Sequence, residues 1–297
     1  MATFRFNFSG DDELLKDNGE SNKEDQENKQ EIKWFESEEV LPKAQIENLD
    51  DIAPHAVMFV CEDIEIGHVV AKDALLRMGD HGLKNAADRA EKEHSDLITG
   101  TYEGGLKIWE CTYDLIKYLE DNESKLGFEN KKVLDLGCGA GLLGIYTFMN
   151  GANVTFQDYN KEVLECVTIP NVLLNCDDED IEFELTRCKF YSGDWASFNQ
   201  KLPDTEFYDL ILTCETIYNP SNYGKLIDLF LQRLTKDGTI YLAAKTHYFG
   251  VGGGTREFEK CIKNNSLLKS EVCWKNTSGV QREIIKITRN HDLFLID

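Results

Sequence analysis

The strongest chemical signal in the sequence is an acidic residue followed by a run of glycines. Asp135 closes a short apolar segment, and glycines follow it at positions 137, 139, 141 and 144. Glycines at the end of a buried strand let the backbone turn sharply and let a ligand lie against bare main chain. The last three also fit the dinucleotide fingerprint G-x-G-x-x-G, so the residues predict a cofactor site and leave two classes of cofactor open.

Two more acidic residues stand where predicted strands end. Asp158 comes about twenty residues after Gly137 in the sequence, at the end of the second predicted strand. An acid at that point can accept hydrogen bonds from ribose hydroxyls. Glu215 follows the predicted strand 208–213, and Tyr218 comes shortly after it. Either acid could simply begin a turn. Because ligands bind at the carboxyl ends of strands in doubly wound sheets, these positions favour the functional interpretation.

The elements that must position these residues alternate between strand and helix. The resulting prediction is an α/β fold with a mostly parallel, Rossmann-like sheet and helices on both faces. A short turn at 276–279 joins the last two strands, so the sheet ends in an antiparallel strand. The predicted strands are 132–137, 152–158, 183–191, 208–213, 239–244, 268–274 and 282–288, and the predicted helices are 106–120, 141–149, 162–175, 223–234 and 255–264.

The sequence before this region has a different composition. Residues 11–31 are almost entirely acidic, basic or amide side chains and serine, which offer too little apolar surface to offset chain entropy. We therefore expect an acidic, largely disordered tail over 1–53, a lead-in of uncertain structure over 54–96, and the catalytic domain over 97–297.

Composition narrows the partners and the compartment. The net charge is −22, from 32 Lys and Arg against 54 Asp and Glu, which disfavours nucleic acid and favours a basic protein as the partner. No apolar stretch predicts a membrane span or a secretory signal. The nine cysteines contain no C-x-x-C pair, and no histidine spacing suggests a metal site. These features indicate reduced thiols and placement in the cytoplasm and nucleus.

The run that begins at Asp135 resembles motif I of the class I methyltransferases, whose sheet has the predicted architecture. In that family the motif binds S-adenosylmethionine, which leaves as S-adenosylhomocysteine, and its acid contacts the amino acid moiety. The resemblance implies contacts to the ribose after the second strand and to adenine after the third. Carried over by position, the cofactor-binding residues are Asp135, Gly137, Gly139, Asp158, Tyr159, Asn160, Gly193, Asp194, Trp195 and Thr213.

Three longer blocks narrow the resemblance. Residues 96–112, 210–220 and 244–254 resemble the protein-histidine N-methyltransferases of the methyltransferase-like family, whose eukaryotic members modify a large-subunit ribosomal protein. The resemblance extends over about 96–290, and Asp194 departs from it because relatives often carry Glu there. It implies that five residues wrap the cofactor, with Trp109 as the main aromatic contact. These residues are Ile108, Trp109, Glu110, Cys111 and Thr112.

Three residues are the candidates for catalysis. Glu215 and Tyr218 belong to an element that resembles the D/E-x-x-Y motif of protein methyltransferases, and His247 lies beside the glycines 252–254 after the fifth strand. His247 is one of six histidines, most of which are expected to be structural or solvated. Glu215 is assigned the selection of the imidazole tautomer, by accepting the proton of one ring nitrogen.

The predicted function is transfer of a methyl group from S-adenosylmethionine to a histidine ring nitrogen of a basic protein, by implication a large-subunit ribosomal protein. A lysine or small-molecule methyltransferase could use the same fold. A non-catalytic module that chaperones a basic ribosomal protein is the alternative from another class. Cofactor binding separates the methyltransferases from the chaperone, because a pure chaperone does not need the cofactor.

Overall fold

The structure, a computed structural model, describes residues 33–77, 82–92, 95–177, 179–276 and 278–291. Within these residues, ten strands form a large sheet and a separate hairpin. The strands are β1 (Glu38–Glu39), β2 (Ala56–Cys61), β3 (Ile64–Val69), β4 (Lys132–Leu136), β5 (Asn153–Asp158), β6 (Cys188–Ser192), β7 (Tyr208–Cys214), β8 (Leu234–Lys245), β9 (Leu268–Asn276) and β10 (Arg282–Arg289).

The eight-stranded sheet has the order β1-β6-β5-β4-β7-β8-β10-β9. Strands β4 to β8 are parallel to one another, whereas β1 pairs antiparallel with β6, and β10 pairs antiparallel with both β8 and β9. Successive strands are added on one side of β4 up to β6, and then on its other side from β7 onward. Doubly wound sheets bind ligands at the point where the strand order reverses in this way, here between β4 and β7. The predicted Rossmann-like architecture with an antiparallel C-terminal strand is confirmed.

Helices pack on both faces of this sheet. The described helices are α1 (Lys43–Glu47), α2 (Leu49–Ile52), α3 (Ala71–Arg77), α4 (Gly82–Lys92), α5 (Glu110–Asp121), α6 (Glu123–Leu126), α7 (Leu142–Met149), α8 (Lys161–Val163), α9 (Ile169–Leu173), α10 (Ile181–Leu185), α11 (Trp195–Lys201), α12 (Tyr223–Arg233) and α13 (Thr255–Asn265).

Successive residues of the central strands enter two different apolar cores. Val133 of β4 belongs to the core under α5 and α7, and Leu134 belongs to the core under α12 and α13. Leu210 and Ile211 of β7 divide in the same way. Side chains alternate across a strand, so a strand that is covered on both faces carries apolar residues at consecutive positions. Such runs of apolar residues are why these strands could be predicted from the sequence.

One predicted strand begins too early. The segment predicted as strand 183–191 starts inside helix α10, and β6 begins only at Cys188. Arg187 pairs with Glu184 at 3.0 Å across one helical turn and donates to the carbonyl oxygens of Phe148 and Ala152. These contacts fix the chain as a helix and a turn before the strand.

The helical region after β5 contains an irregular turn. Between α8 and α9, residues Leu164–Thr168 form a π-helical segment just before Pro170. Proline lacks the N–H that continues an α-helix, and the wider turn accommodates it without ending the helix. The Thr168 hydroxyl then donates to the carbonyl oxygen of Gly139 at 2.6 Å and so supports the glycine-rich turn.

The prediction of a disordered tail is wrong for residues 33–53. Strand β1 pairs antiparallel with β6, and α1 and α2 follow it. The rest of the predicted tail, residues 1–32, lies outside the described residues. The lead-in over 54–96 contains the hairpin β2-β3 and helices α3 and α4. No helix in the described part of the chain is long and apolar enough to cross a membrane.

Candidate active site

A cleft opens at the carboxyl ends of β4, β5 and β7. Its volume is about 890 Å³, including solvent at its mouth, and most of the predicted cofactor residues line it. Its wall includes Trp34, Glu103, Gly104, Gly105, Lys107, Ile108, Trp109, Thr112, Asp135, Gly137, Gly139, Asp158, Tyr159, Gly193, Asp194, Trp195, Cys214, Glu215, Thr216, Tyr218 and Asn222.

The glycine-rich turn brings bare backbone to the floor of this cleft. Gly137 has a φ of +67°, and a Cβ atom there would lie 2.7 Å from Cγ2 of Thr216. Asp135 precedes the turn and accepts the backbone N–H of Gly144 at 2.8 Å. Burial, with a smaller contribution from the charge of Asp158, raises the pKa of Asp135 to about 8 although the Gly144 hydrogen bond lowers it.

Asp158 lies at the end of the neighbouring strand. Its carboxylate accepts the backbone N–H of Gly139 at 2.8 Å and that of Asn160 at 3.1 Å. Burial raises its pKa to about 6 against the effect of these two hydrogen bonds. A Cβ atom at Gly105 would lie 3.3 Å from Oδ1 and 3.1 Å from Cγ1 of Val163, so the glycine at this position leaves more room beside the carboxylate.

The residues of the block 108–112, where α5 begins, lie in three different environments: the cleft, the solvent and the apolar core. Ile108, Trp109 and Thr112 line the cleft, whereas Glu110 and Cys111 do not. Glu110 is exposed and Cys111 is fully buried. Neighbouring residues at the start of a helix point in directions roughly 100° apart, so a run of five cannot share one surface.

The remaining predicted cofactor residues divide in a similar way. Tyr159, Gly193, Asp194 and Trp195 line the cleft. Asn160 does not, because its amide binds the carbonyl oxygen of Thr101 at 2.8 Å and accepts the N–H of Glu103 at 3.2 Å.

Thr213 also has a supporting place outside the cleft wall. Its hydroxyl donates to the carbonyl oxygen of Leu136 at 2.8 Å and lies 2.7 Å from the hydroxyl of Thr216. The side chain is fully buried. Thr213 therefore joins β7 to β4 directly below the cleft.

Glu215 is held in an unusual position at the end of β7. Its φ is +58°, although it is not a glycine, and its side chain is buried. The hydroxyl of Tyr248 donates to Oε2 at 2.5 Å. The buried Oε1 has no hydrogen-bond partner among the described residues, and the Lys245 ammonium lies 3.7 Å from it.

Tyr218 is directed to a different acid. Its hydroxyl donates to Glu103, a cleft residue whose pKa burial raises. The rings of Tyr218 and Tyr248 meet edge to face with centroids 6.4 Å apart. The two predicted catalytic residues Glu215 and Tyr218 therefore lie in one cleft but bind separate partners.

His247 does not enter the cleft. It is exposed and packs edge-on against Phe249 with ring centroids 4.9 Å apart. Its neighbours Lys245 and Tyr248 contact Glu215 instead. The structure thus separates His247 from the other two predicted catalytic residues.

Sequence reasoning missed several residues of this site. Trp34 lies next to Phe35 in a mostly acidic segment whose composition predicts disorder. Glu103 lies in the block 96–112, which is recognised as a whole without a role for that residue. Lys245 and Tyr248 lie on either side of His247, which the sequence favours in their place. The only signal for the last two is their place within the block 244–254. Within the described part of the chain, no group of three or more His, Cys, Asp or Glu side chains is placed to hold a metal ion.

The chain is similar to known methyltransferases. A family model described as lysine methyltransferase matches residues 93–261. A Bos taurus protein named histidine protein methyltransferase 1 homolog is 44% identical over 241 residues, which cover 74% of this chain and 64% of that protein. A Dictyostelium discoideum protein of the same name is 46% identical over 198 residues, covering 66% of this chain and 61% of that protein.

A relative with another name is more distant. A Xenopus tropicalis protein N-lysine methyltransferase is 27% identical over 141 residues, which cover 48% of this chain and 60% of that protein. The chain spans less than two thirds of the length of the two histidine methyltransferase relatives described above.

Proposed function

This chain belongs to the family described as lysine methyltransferase, and we propose that it transfers a methyl group from S-adenosylmethionine to a histidine ring nitrogen of a protein. The names of its relatives support this choice within the family. The relatives named for histidine described above share 44% and 46% identity with it, against 27% for the one named for lysine.

The residues of the cleft fit the cofactor. Asp135 supplies a buried carboxyl group for a cationic amino group, and Asp158 supplies one for ribose hydroxyls. A Cβ atom at Gly105 would lie 3.3 Å from Oδ1 of Asp158, and one at Gly137 would lie 2.7 Å from Cγ2 of Thr216 in the cleft wall. When bound, S-adenosylmethionine supplies an electrophilic sulfonium methyl group.

The observation that carries the proposal is the free carboxylate oxygen of Glu215. Tyr248 fixes Oε2, so the buried Oε1 is the remaining acceptor. An imidazole has one N–H and one lone pair in its neutral form. If Oε1 accepts the N–H, the tautomer is fixed and the lone pair of the other nitrogen is free to attack the methyl group.

The chemistry of the acceptor explains why one carboxylate is sufficient. With an ordinary pKa of about 6.5, a free imidazole is mostly neutral at pH 7.4, so positioning matters more than proton removal. A lysine with a pKa of about 10.4 would first have to lose a proton. Glu215 needs only to orient the ring and to stabilise the positive charge that develops on it.

The net charge supports a basic protein as the substrate. At −22, the chain attracts cationic surfaces over distances of about 10 Å at ordinary ionic strength. A large-subunit ribosomal protein has this character and is the substrate that we propose. Its encounter with the enzyme in the cytoplasm and nucleus is part of the same proposal, supported by the nine cysteines, which lie within the described residues and form no disulfide there.

The proposal is tested by the identity of the methylated amino acid. The full chain is incubated with radiolabelled S-adenosylmethionine and ribosomal proteins, and the labelled protein is hydrolysed for amino acid analysis. We expect methylhistidine as the product and loss of the label with Glu215→Ala. Methyllysine in the hydrolysate would replace the proposal with the lysine activity that the family description suggests.

A binding module without catalysis makes a different prediction. Such a protein would capture the basic substrate without transferring label and would not need the cofactor. Calorimetric titration with S-adenosylhomocysteine separates the two, because saturable binding in the cleft is expected only for the methyltransferase.

A further inference from the structure

Trp34 lies at the wall of the cleft, far in sequence from every motif. We propose that Trp34 is a cofactor-binding residue and that segment 34–39 forms the adenine side of the site. This inference rests on the proposed function, because it assumes the same cofactor. It adds a residue and a wall that come from the part of the chain before the catalytic domain predicted from the sequence.

The segment is attached to the loop that the resemblance assigns to adenine. The carbonyl oxygen of Phe35 accepts the backbone N–H of Asp194 at 2.9 Å. The backbone N–H of Ser37 donates to the hydroxyl of Ser197 at 2.8 Å, and that hydroxyl donates to Glu36 at 3.0 Å. Strand β1 then continues the attachment along β6.

Gly193 shows that this loop is shaped for the segment. Its φ is +98°, and a Cβ atom there would lie 2.6 Å from the carbonyl oxygen of Glu36 and 2.6 Å from the Cα atom of Ser37. Real Cβ atoms essentially never approach backbone so closely, so a side chain at this position would displace the segment. Gly193 is therefore required by the close passage of the two backbones as well as by its own conformation.

The indole of Trp34 is fixed in place by its surroundings. The ammonium group of Lys225 lies 3.8 Å from the indole centroid and also pairs with Asp194 at 2.5 Å. The ring of Tyr159 meets the indole edge to face with centroids 5.9 Å apart. Because both Tyr159 and Asp194 line the cleft, these contacts hold Trp34 beside the residues expected around the ribose and the base.

An aromatic side chain at this position has a clear chemical use. Adenine is a flat, neutral aromatic base, and stacking on an indole favours it without requiring a particular hydrogen bond. Base stacking of this kind accounts for roughly 5- to 100-fold in affinity. The structure thus assigns to Trp34 a contribution to cofactor binding that does not depend on the transferred methyl group.

The test is calorimetric titration of the full-length protein with S-adenosylhomocysteine. We expect Trp34→Ala to weaken binding by roughly 5- to 100-fold and Trp34→Phe to restore most of the loss. Leu41→Ala is the control, because Leu41 is exposed shortly after this segment and does not line the cleft. It is expected to change affinity less than threefold.

Protection from trypsin provides a second measurement that needs no variant. Lys33 is exposed and directly precedes Trp34, so S-adenosylhomocysteine is expected to slow cleavage after Lys33 in the wild-type protein. Unchanged cleavage, or equal affinity of Trp34→Ala and wild type, would overturn the inference. Failure of the wild type to bind the ligand would instead overturn the proposed function.

Discussion

The ammonium group of Lys245 lies 3.7 Å from Oε1 of Glu215, the carboxylate oxygen that accepts no hydrogen bond from the described part of the chain. The same ammonium lies 5.2 Å from the ring centroid of Trp109 and 3.6 Å from a carboxylate oxygen of Glu110. The Lys245 ammonium thus lies close enough to compensate the negative charge of the buried Glu215 carboxylate, but too far from Oε1 to donate a hydrogen bond to it. Lys245 is a positioning residue for the carboxylate.

Removal of this cation is expected to destabilise the protein. Lys245→Met should lower the free energy of unfolding by about 1–3 kcal/mol, because Glu215 would remain buried without its compensating charge. Denaturation in urea measures the change. Lys117→Met removes an exposed ion pair with Glu62 and serves as the control, with a much smaller expected change because solvent screens that pair. Equal effects of the two variants would refute the assignment of Lys245.

The left-handed backbone of Glu215 leads to a comparison between two variants. Glu215→Ala and Glu215→Gly both remove the carboxylate, but only glycine adopts a φ of +58° without strain. We expect the glycine variant to be more stable than the alanine variant by about 1 kcal/mol, measured as a higher unfolding midpoint. Both should lose roughly 10²- to 10⁴-fold in kcat while they retain cofactor affinity. An alanine variant as stable as the glycine variant would show that the backbone is not strained.

Cofactor binding is expected to release protons. The pKa of Asp135 is raised to about 8, so its carboxyl group is mostly protonated at pH 7 before the ligand binds. A cationic amino group beside it favours the carboxylate and lowers that pKa, so affinity should increase as the pH rises from 6 to 8. Titration in buffers with different ionisation enthalpies measures the release.

Two outcomes decide that prediction. In Asp135→Asn the release at pH 7 should decrease sharply, because the second acid, Asp158, has a pKa of only about 6. Proton uptake by the wild type on binding would have the wrong sign and would remove Asp135 from the ligand contacts.

The pH dependence of the reaction distinguishes the acceptors. A histidine acceptor should lose rate below about pH 6.5, where imidazole protonates, and the rate should be constant above that. A lysine acceptor without a base would continue to gain rate toward pH 10. Initial rates between pH 5.5 and 9.5 at saturating cofactor therefore test the histidine proposal without identifying the product.

The sequence predicts the sheet and the motif-bearing strand ends because these depend on local signals. Strands β4 and β7 carry consecutive apolar residues, Val133-Leu134 and Leu210-Ile211-Leu212, and glycine marks the turn after Asp135. The same property that makes β8 predictable prevents prediction of the roles of Lys245 and Tyr248. A strand buried on both faces has no polar alternation, so the pattern cannot show that Lys245 at its end and Tyr248 after it contact Glu215.

The segment around Trp34 could not be predicted by the same methods. Strand β1 has two residues, and acidic side chains surround the isolated aromatic residues Trp34 and Phe35. Composition indicates disorder where local apolar surface is scarce. Here the stabilising partners are Tyr159, Asp194 and Ser197, which lie more than a hundred residues away in the sequence.

Strand β1 also protects the protein from aggregation. Without it, β6 would expose N–H and C=O groups along the border of the sheet, and such a border invites pairing with a strand of another molecule. The two residues of β1 are both glutamates and both are exposed, so the border carries negative charge and is too short to recruit a further strand. Proteolysis in this segment would therefore expose a template for intermolecular β-pairing and reduce solubility.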